Sequence, residues 1–279
     1  MRLLLTNDDG IHAQGLAALE AIARTLSDDV WIAAPEAEQS GASRALTLAE
    51  PLRVRELGPR RFAIRGTPTD CVMLALEHLV EGPRPDLVLS GVNRGANLAE
   101  DVTLSGTVAG AIEGMALGVP AIAMSQAVGP FTADAREDFA VAEALGPDLV
   151  ARLVEMGWPR DVILNVNFPA GPVDRVESVE VTRQGFRDVS VRFAEKRTDL
   201  RGRSYFWLGY KTLPSRPAAG TDLRAAYEGR VSVTPLHIDL THAQTVADLA
   251  LRLNGPVARL ASGLASSDVP GGAHGGADS

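Results

Sequence analysis

A doubly wound, mainly parallel α/β sheet with a C-terminal β-hairpin arm is the fold predicted here, and three observations predict it. Short, nearly all-apolar runs at residues 2–6, 30–35, 85–90 and 120–125 read as strands buried on both faces. Segments with apolar residues at helical spacing lie between them, and strict alternation of strand and helix marks parallel crossover units. Beyond residue 170 the chain changes to short β-branched or aromatic runs separated by charged and Gly-rich turns, which suggests antiparallel hairpins.

The first strand, Arg2-Leu3-Leu4-Leu5-Thr6, leads directly into Asn7-Asp8-Asp9-Gly10. Asn, Asp and Gly tolerate positive φ, so the tetrapeptide alone also fits a tight turn. A hairpin needs a second strand, whereas residues 13–26 place Leu16, Leu19, Ile22, Ala23 and Leu26 at helical spacing. The order strand, acids, helix puts both carboxylates beyond the carboxyl end of a parallel strand, where open α/β sheets gather ligands. Neighbouring acids at that edge suggest a cation held by oxygens.

The second strand, residues 30–35, is followed by a polar loop containing Gln39-Ser40-Gly41; Ser40 fits a ligand or a bystander, since any loop is rich in small polar residues. Residues 52–64 alternate as a pair of short strands, with Arg53, Arg55, Arg60 and Arg61 read first as solvated faces. Gly66-Thr67-Pro68-Thr69-Asp70 opens a helix, with a plain cap favoured over an anion site. After the strand at 85–90, Gly91-Val92-Asn93-Arg94-Gly95-Ala96-Asn97 brings Asn93 and Asn97 to the same sheet edge as Asp8 and Asp9. Residues 105–118 read as a helix of small residues whose Ser105-Gly106-Thr107 opening offers amides and hydroxyls for a phosphate oxygen, while its small side chains suit close packing on the sheet. A helix over 139–156, a strand over 162–169, short strands near 176–181, 189–193 and 205–210, a helix capped by Gly220-Thr221-Asp222 and a closing strand at 231–236 complete the pattern.

The domain division expected is an α/β catalytic core at 1–170, a hairpin arm with helix and closing strand for oligomerisation at 171–262, and a disordered tail at 263–279. Tyr205, Phe206, Trp207 and Tyr210 on an exposed arm would leave apolar surface in water, so a second subunit is expected to cover it.

Composition narrows the function. The 279 residues, 46% hydrophobic and 22% charged, suffice for one substantial core. A net charge of -8 argues against a general nucleic-acid polymer or membrane-surface binder, so a phosphate-bearing substrate needs a cation or a local cluster of donors. Cys71 has no second cysteine to pair with and lies in an apolar helical run, which points to core packing and a reducing, cytoplasmic setting. The chain enters its first strand without a basic-then-apolar leader, and no apolar run approaches membrane-spanning length. The absence of Gly-x-Gly-x-x-Gly after the first strand and of Gly-x-x-x-x-Gly-Lys leaves a dinucleotide fold or nucleotide kinase unsupported. The five histidines give no metal-binding spacing, and His12, near the acids, reads first as an exposed loop residue and second as a substrate contact or proton shuttle.

Taken together, the strand ends supply two carboxylates, an asparagine and a serine hydroxyl. This hard-ligand set suits Mg²⁺ or Mn²⁺ and not a structural zinc. A cation held beside helix N-termini could bind a phosphate oxygen and activate water, which is metal-assisted phosphoester hydrolysis.

At these residues the chain resembles the SurE survival-protein nucleotidases. The likeness is carried in order by Leu5-Thr6-Asn7-Asp8-Asp9-Gly10, Ala34-Pro35 with Gln39-Ser40-Gly41, Gly66-Thr67-Pro68-Thr69-Asp70-Cys71-Val72, Ser90-Gly91-Val92-Asn93-Arg94-Gly95-Ala96-Asn97 and Ser105-Gly106-Thr107-Val108. It resumes at Asn165-Val166-Asn167-Phe168-Pro169 and from Gly220-Thr221-Asp222 through Pro235-Leu236. The resemblance implies a Rossmann-like core and an arm exchanged in homodimers or homotetramers. It also implies a 5′-nucleotidase hydrolysing nucleoside monophosphates with one divalent cation per subunit, with 3′-nucleotides or short polyphosphate as further substrates. By the same resemblance Asp8, Asp9, Ser40 and Asn93 match the metal ligands, with Asp8, Asp9 and Asn93 catalytic, and Asn97, Ser105, Gly106 and Thr107 match the phosphate-holding region. Leu104 stands where Tyr or His is expected, and Arg44 and Ala45 replace more polar loop residues, changes that bear on base preference and rate. A receiver-like signalling module also places an acidic pair after its first strand, but its phosphate-accepting aspartate would fall at Gly91. A nucleotide-binding transferase is the other alternative, distinguished by transfer to an acceptor in place of free phosphate.

Overall fold

The computed structural model of the chain describes residues 1–128, 139–187, 192–210 and 216–254. The elements follow in order as β1 (Arg2–Thr6), α1 (Gln14–Leu26), β2 (Asp29–Pro35), β3 (Val54–Gly58), β4 (Arg61–Ile64), α2 (Pro68–Leu74), β5 (Leu87–Arg94), α3 (Gly106–Ala116), β6 (Ala121–Gln126), α4 (Ala140–Met156) and β7 (Ile163–Phe168). Then come β8 (Val179–Val181), β9 (Arg192–Thr198), β10 (Ser204–Tyr210), α5 (Asp222–Tyr227), β11 (Val231–Leu236) and α6 (Ala243–Leu253). Residues Met1–Ile238 form one compact unit and Asp239–Ser279 another.

The main sheet of the first unit has nine strands in the order β3-β4-β2-β1-β5-β6-β7-β11-β8. From β4 to β7 all pairings are parallel, while β3 and β11 pair antiparallel with their neighbours β4 and β7. Within the parallel part the strand order is that of a Rossmann-like doubly wound sheet, without the dinucleotide fingerprint after β1, and the direction of winding reverses between β1 and β5. In open α/β sheets ligands bind beyond the carboxyl ends of the strands that flank such a reversal, and β1 ends at the acids.

The alternation in β1 explains the layers. Leu3 and Leu5, both fully buried, pack toward Leu16, Leu19 and Ile22 of α1 and Val141 and Val150 of α4. Leu4 faces the opposite layer with Cys71 of α2 and Val108, Ala111 and Met115 of α3. Each such burial is worth about 1.5–3 kcal/mol, which is why a strand of unbroken leucines is stable only between two helical layers. Cys71 is buried and free, and burial pushes its thiol well up, the behaviour of a core residue.

Local differences from the sequence reading have identifiable causes. The strand expected to stop at Ser90 continues to Arg94 through an irregularity between Ser90 and Asn93, so Asn93 sits on a strand extension paired with Ser125. The run at 176–181 does not form a hairpin; its last residues make β8, which joins the main sheet parallel to β11. β9 and β10 form a separate two-stranded sheet with Trp207 opposite Glu195. The expected strand at 189–193 lies partly, and the expected tail at 263–279 wholly, outside the described residues.

In the second unit, α6 is a helix the sequence reading did not anticipate. His242 caps it, its Nδ1 accepting from the Thr245 amide at 3.2 Å, and Val246, Leu249 and Leu253 recur along one face. Among the described residues no helix is long and apolar enough to cross a membrane.

Candidate active site

Backbone hydrogen bonds place the loops before any side chain is considered. The Gln39 amide donates to the Asp8 carbonyl at 2.8 Å, which draws the loop after β2, with Ser40, against the acids. From the other side, the Arg94 amide donates to Asp9 Oδ2 at 3.3 Å, tying the end of β5 and its neighbour Asn93 to the same loop. The acidic loop is itself shaped by Asn7 Nδ2, which donates to the Gly10 carbonyl at 2.9 Å, and by Gly10 at φ +102.

Asp8 is nearly buried, at 4% exposure, and its carboxylate is held by α3. Thr107 donates its hydroxyl to Asp8 Oδ1 at 2.6 Å. Gly106 permits this approach: a Cβ there would lie 2.7 Å from the Asp8 Cβ. Burial pushes the Asp8 carboxyl up from the ordinary range, hydrogen bonds from Thr107 pull it down, and the Glu38 charge pushes it up again. No basic side chain pairs with Asp8 among the described residues. A buried carboxylate compensated only by neutral donors is the environment in which a bound cation offsets most desolvation.

The remaining predicted ligands are placed as follows. Ser40 is exposed and donates to Glu38 Oε1 at 2.8 Å. Asn93 is half-buried, its Nδ2 donating to the Gly95 carbonyl at 2.8 Å. Among the described residues no group of three or more His, Cys, Asp and Glu is arranged to hold a metal, so a cation held at this edge would need neutral oxygens beside the two acids. The donor chemistry fits such an ion, and the Oδ1 of Asn7, in the same loop, is buried without a hydrogen-bond partner.

Of the predicted phosphate-holding residues, Ser105 caps α3 by accepting from the Val108 amide at 3.1 Å, and Thr107 commits its hydroxyl to Asp8. Asn97, 9% exposed, donates its side-chain amide to Ser125 Oγ at 2.9 Å. The loop carrying Ser40 is pinned further along: Ser43 donates to the Thr103 carbonyl at 2.7 Å, and Arg44 pairs with the buried Glu113 of α3 at 2.9 Å. The departure at Arg44 therefore has a structural partner. Thr67 and Asp70 form a reciprocal capping box, with Asp70 also accepting from Thr47, so the start of α2 is a cap and not an open anion site. Sequence reasoning assigned no role to Thr107 as the holder of Asp8, because a contact across 99 residues leaves no local signal, and none to Glu38, whose charge reaches Asp8 only once the loop after β2 folds against the acids.

Carboxylates and amides gathered at the switch point of a doubly wound sheet define a cation-using α/β enzyme that handles a small anionic substrate. Comparison with known proteins then supplies the family. The family model described as "Survival protein SurE" matches residues 3–191, and the chain belongs to that family. It is 68% identical over 255 residues to the 5′-nucleotidase SurE of Caulobacter vibrioides, covering 91% of this chain and 97% of that one. With the 5′-nucleotidase SurE of Parvibaculum lavamentivorans the identity is 53% over 249 residues, or 89% and 90% of the two chains. The crystal structure of the SurE protein from Aquifex aeolicus superposes with a TM-score of 0.77 at 37% identity, over 90% of this chain and 99% of that one.

Proposed function

We propose that the chain is a divalent-metal-dependent 5′-nucleotidase that hydrolyses nucleoside monophosphates to nucleoside and orthophosphate. The family membership and the near-full-length identity to 5′-nucleotidases carry the activity. The observation that supports the site is the pair of bonds drawing the loops after β2 and β5 onto Asp8 and Asp9. In this reading Asp8, Asp9, Ser40 and Asn93 hold one Mg²⁺ or Mn²⁺. When bound, the cation supplies charge neutralisation at the phosphoryl group and a more acidic water. The chain's own part is to orient: Thr107 and the start of α3 fix the Asp8 carboxylate, the Arg94 amide fixes Asp9, and Asn97 with the Ser105-Gly106-Thr107 turn borders the phosphate. 3′-Nucleotides and short polyphosphate are further substrates in this reading, and Leu104 and Arg44 tune preference among bases. The β9–β10 hairpin, within the part at 171–262, joins subunits into a homodimer or homotetramer, because Phe206, Trp207 and Leu208 are exposed at 62%, 59% and 82%. The free, buried Cys71 suits the cytoplasm.

Phosphate release from a panel of nucleoside monophosphates tests the reading. Release is expected to require added Mg²⁺ or Mn²⁺ and to fall by at least about a thousandfold in Asp8→Asn and Asp9→Asn, the scale of losing a principal electrostatic group. Full activity of either variant in chelator would overturn it.

A further inference from the structure

Two stretches of the second half of the chain, Asn165-Val166-Asn167 and Gly220-Thr221-Asp222, have no part in the site as described, yet both end on the same short segment of it. Asn167 reads the backbone of Asn97 in both directions: its Oδ1 accepts from the Asn97 amide at 2.8 Å, and its Nδ2 donates to the Asn97 carbonyl at 3.1 Å. Asn165 Nδ2 donates to that same carbonyl at 2.9 Å. With Ser125 on the side-chain amide, Asn97 is held at its main chain and its side chain alike.

Two residues on, Asp222 takes over. It is completely buried, and its carboxylate is satisfied by main-chain donors: Oδ2 accepts from the Ala99 amide at 2.8 Å, and Oδ1 from the amides of Gly185 and Leu223, each at 2.7 Å. Ala99 needs such a hold, since it adopts φ +54, a left-handed conformation in which a Cβ crowds the following carbonyl oxygen. Leu98, Ala99 and Leu223 form a small apolar cluster of their own beside this bond. Arg187 adds ion pairs to Glu100 and Asp101, at 3.2 and 2.7 Å. A fully buried carboxylate is costly unless its acceptors are filled, so its position is dictated by where those amides are, and theirs by it.

We propose that Asp222, with Asn165 and Asn167, forms a clamp of positioning residues that sets the shape of the Asn97–Ala99 segment and thereby the affinity of the site for the phosphate group of its substrate. The proposal rests on the nucleotidase reading only in taking phosphate as the group that Asn97 borders. None of the clamp residues touches the predicted ligand set in the described contacts, so the clamp acts on anion affinity and not on the cation.

The test uses the full chain with Asp222→Asn and Asn167→Asp, which keep size while turning an acceptor into a donor or the reverse. Three quantities are read: amide hydrogen exchange of a peptide spanning residues 95–101, Mn²⁺ affinity alone by calorimetry, and affinity for inorganic phosphate at saturating Mn²⁺. Exchange is expected to speed up and phosphate affinity to fall, each by about tenfold, the scale of one mispaired buried hydrogen bond, while Mn²⁺ affinity stays within about twofold. KM for a nucleoside monophosphate should rise in parallel. Should Asp222→Asn fail to fold, Asn165→Asp, which removes one of the two side-chain donors to the Asn97 carbonyl, takes its place. Phosphate affinity unchanged despite faster exchange, unchanged exchange, loss of Mn²⁺ and phosphate binding together, or no phosphate binding by the unaltered chain would each overturn the proposal. If the unaltered chain binds phosphate but releases none from nucleotides, the nucleotidase reading fails, and the phosphate comparison still decides the clamp.

Discussion

Thr107 donates a hydrogen bond from its hydroxyl to Asp8, and this one bond shows how much a single side chain decides at the site. A hydrogen bond to a charged group is worth about 1.5–3 kcal/mol, and it is the one side-chain hydrogen bond among the influences on the Asp8 carboxyl, beside main-chain amides. Thr107→Val, nearly isosteric, is therefore expected to lower kcat/KM by about tenfold or more, with a smaller effect on thermal unfolding; steady-state phosphate release beside a melting curve checks it. A second residue prediction concerns Asp29, whose carboxyl is held below its ordinary value first by the Arg2 hydrogen bond, with Trp31 and the Arg60 charge adding to it. Because the folded pKa is depressed, the stabilisation is present above the unfolded pKa and disappears as pH falls through the folded one. The denaturant midpoints of the unaltered chain and Asp29→Asn, followed by circular dichroism, should thus differ at pH 7 and converge as pH falls below about 4. At this scale the acids, Ser40 and Asn93 are legible in the sequence by chemical type and place, whereas their hydrogen-bond partners are not, since Thr107 and Gln39 offer only ordinary residue types.

Helix α3 shows why an element can carry the readings of packing and site together. Glycines recur along its sheet-facing side: a Cβ on Gly106 would lie 2.7 Å from Asp8, one on Gly110 2.9 Å from Ser90 Oγ and Thr6 Cγ2, and one on Gly114 2.8 Å from Val88. The helix therefore rides close on β1 and β5, and that closeness brings its first turn to the acid. Gly110→Ala is expected to destabilise the fold by about 1–3 kcal/mol through overpacking, lowering the unfolding midpoint, while Gly106→Ala should reduce phosphate release out of proportion to its stability loss. The small residues at 105–118 were visible as a pattern, and both uses of the helix could be stated from them. The strand extension to Asn93 was not, because pairing with Ser125 depends on β6 and overrides the punctuation of Gly91.

For the whole molecule, the hairpin of β9 and β10 is the least self-sufficient part, since a two-stranded ribbon exposing Phe206 and Trp207 buries too little to stand alone. Replacing Phe206 and Trp207 with Ser is expected to shift the protein toward monomer in sedimentation velocity while leaving the Met1–Ile238 sheet folded by circular dichroism. By itself the sequence determined the alternation of buried strands and amphipathic helices, hence the doubly wound class, and the acidic pair after β1, because periodicity and strand-end chemistry are local properties of the chain. Only the tertiary structure decided that β1 and β5 flank the reversal of winding, that α3 closes on Asp8, and that Asn165, Asn167 and Asp222 grip the segment from Asn97 to Ala99. Those contacts join residues 68 or more positions apart, and such partners are chosen by sheet order and helix approach, which no local pattern encodes.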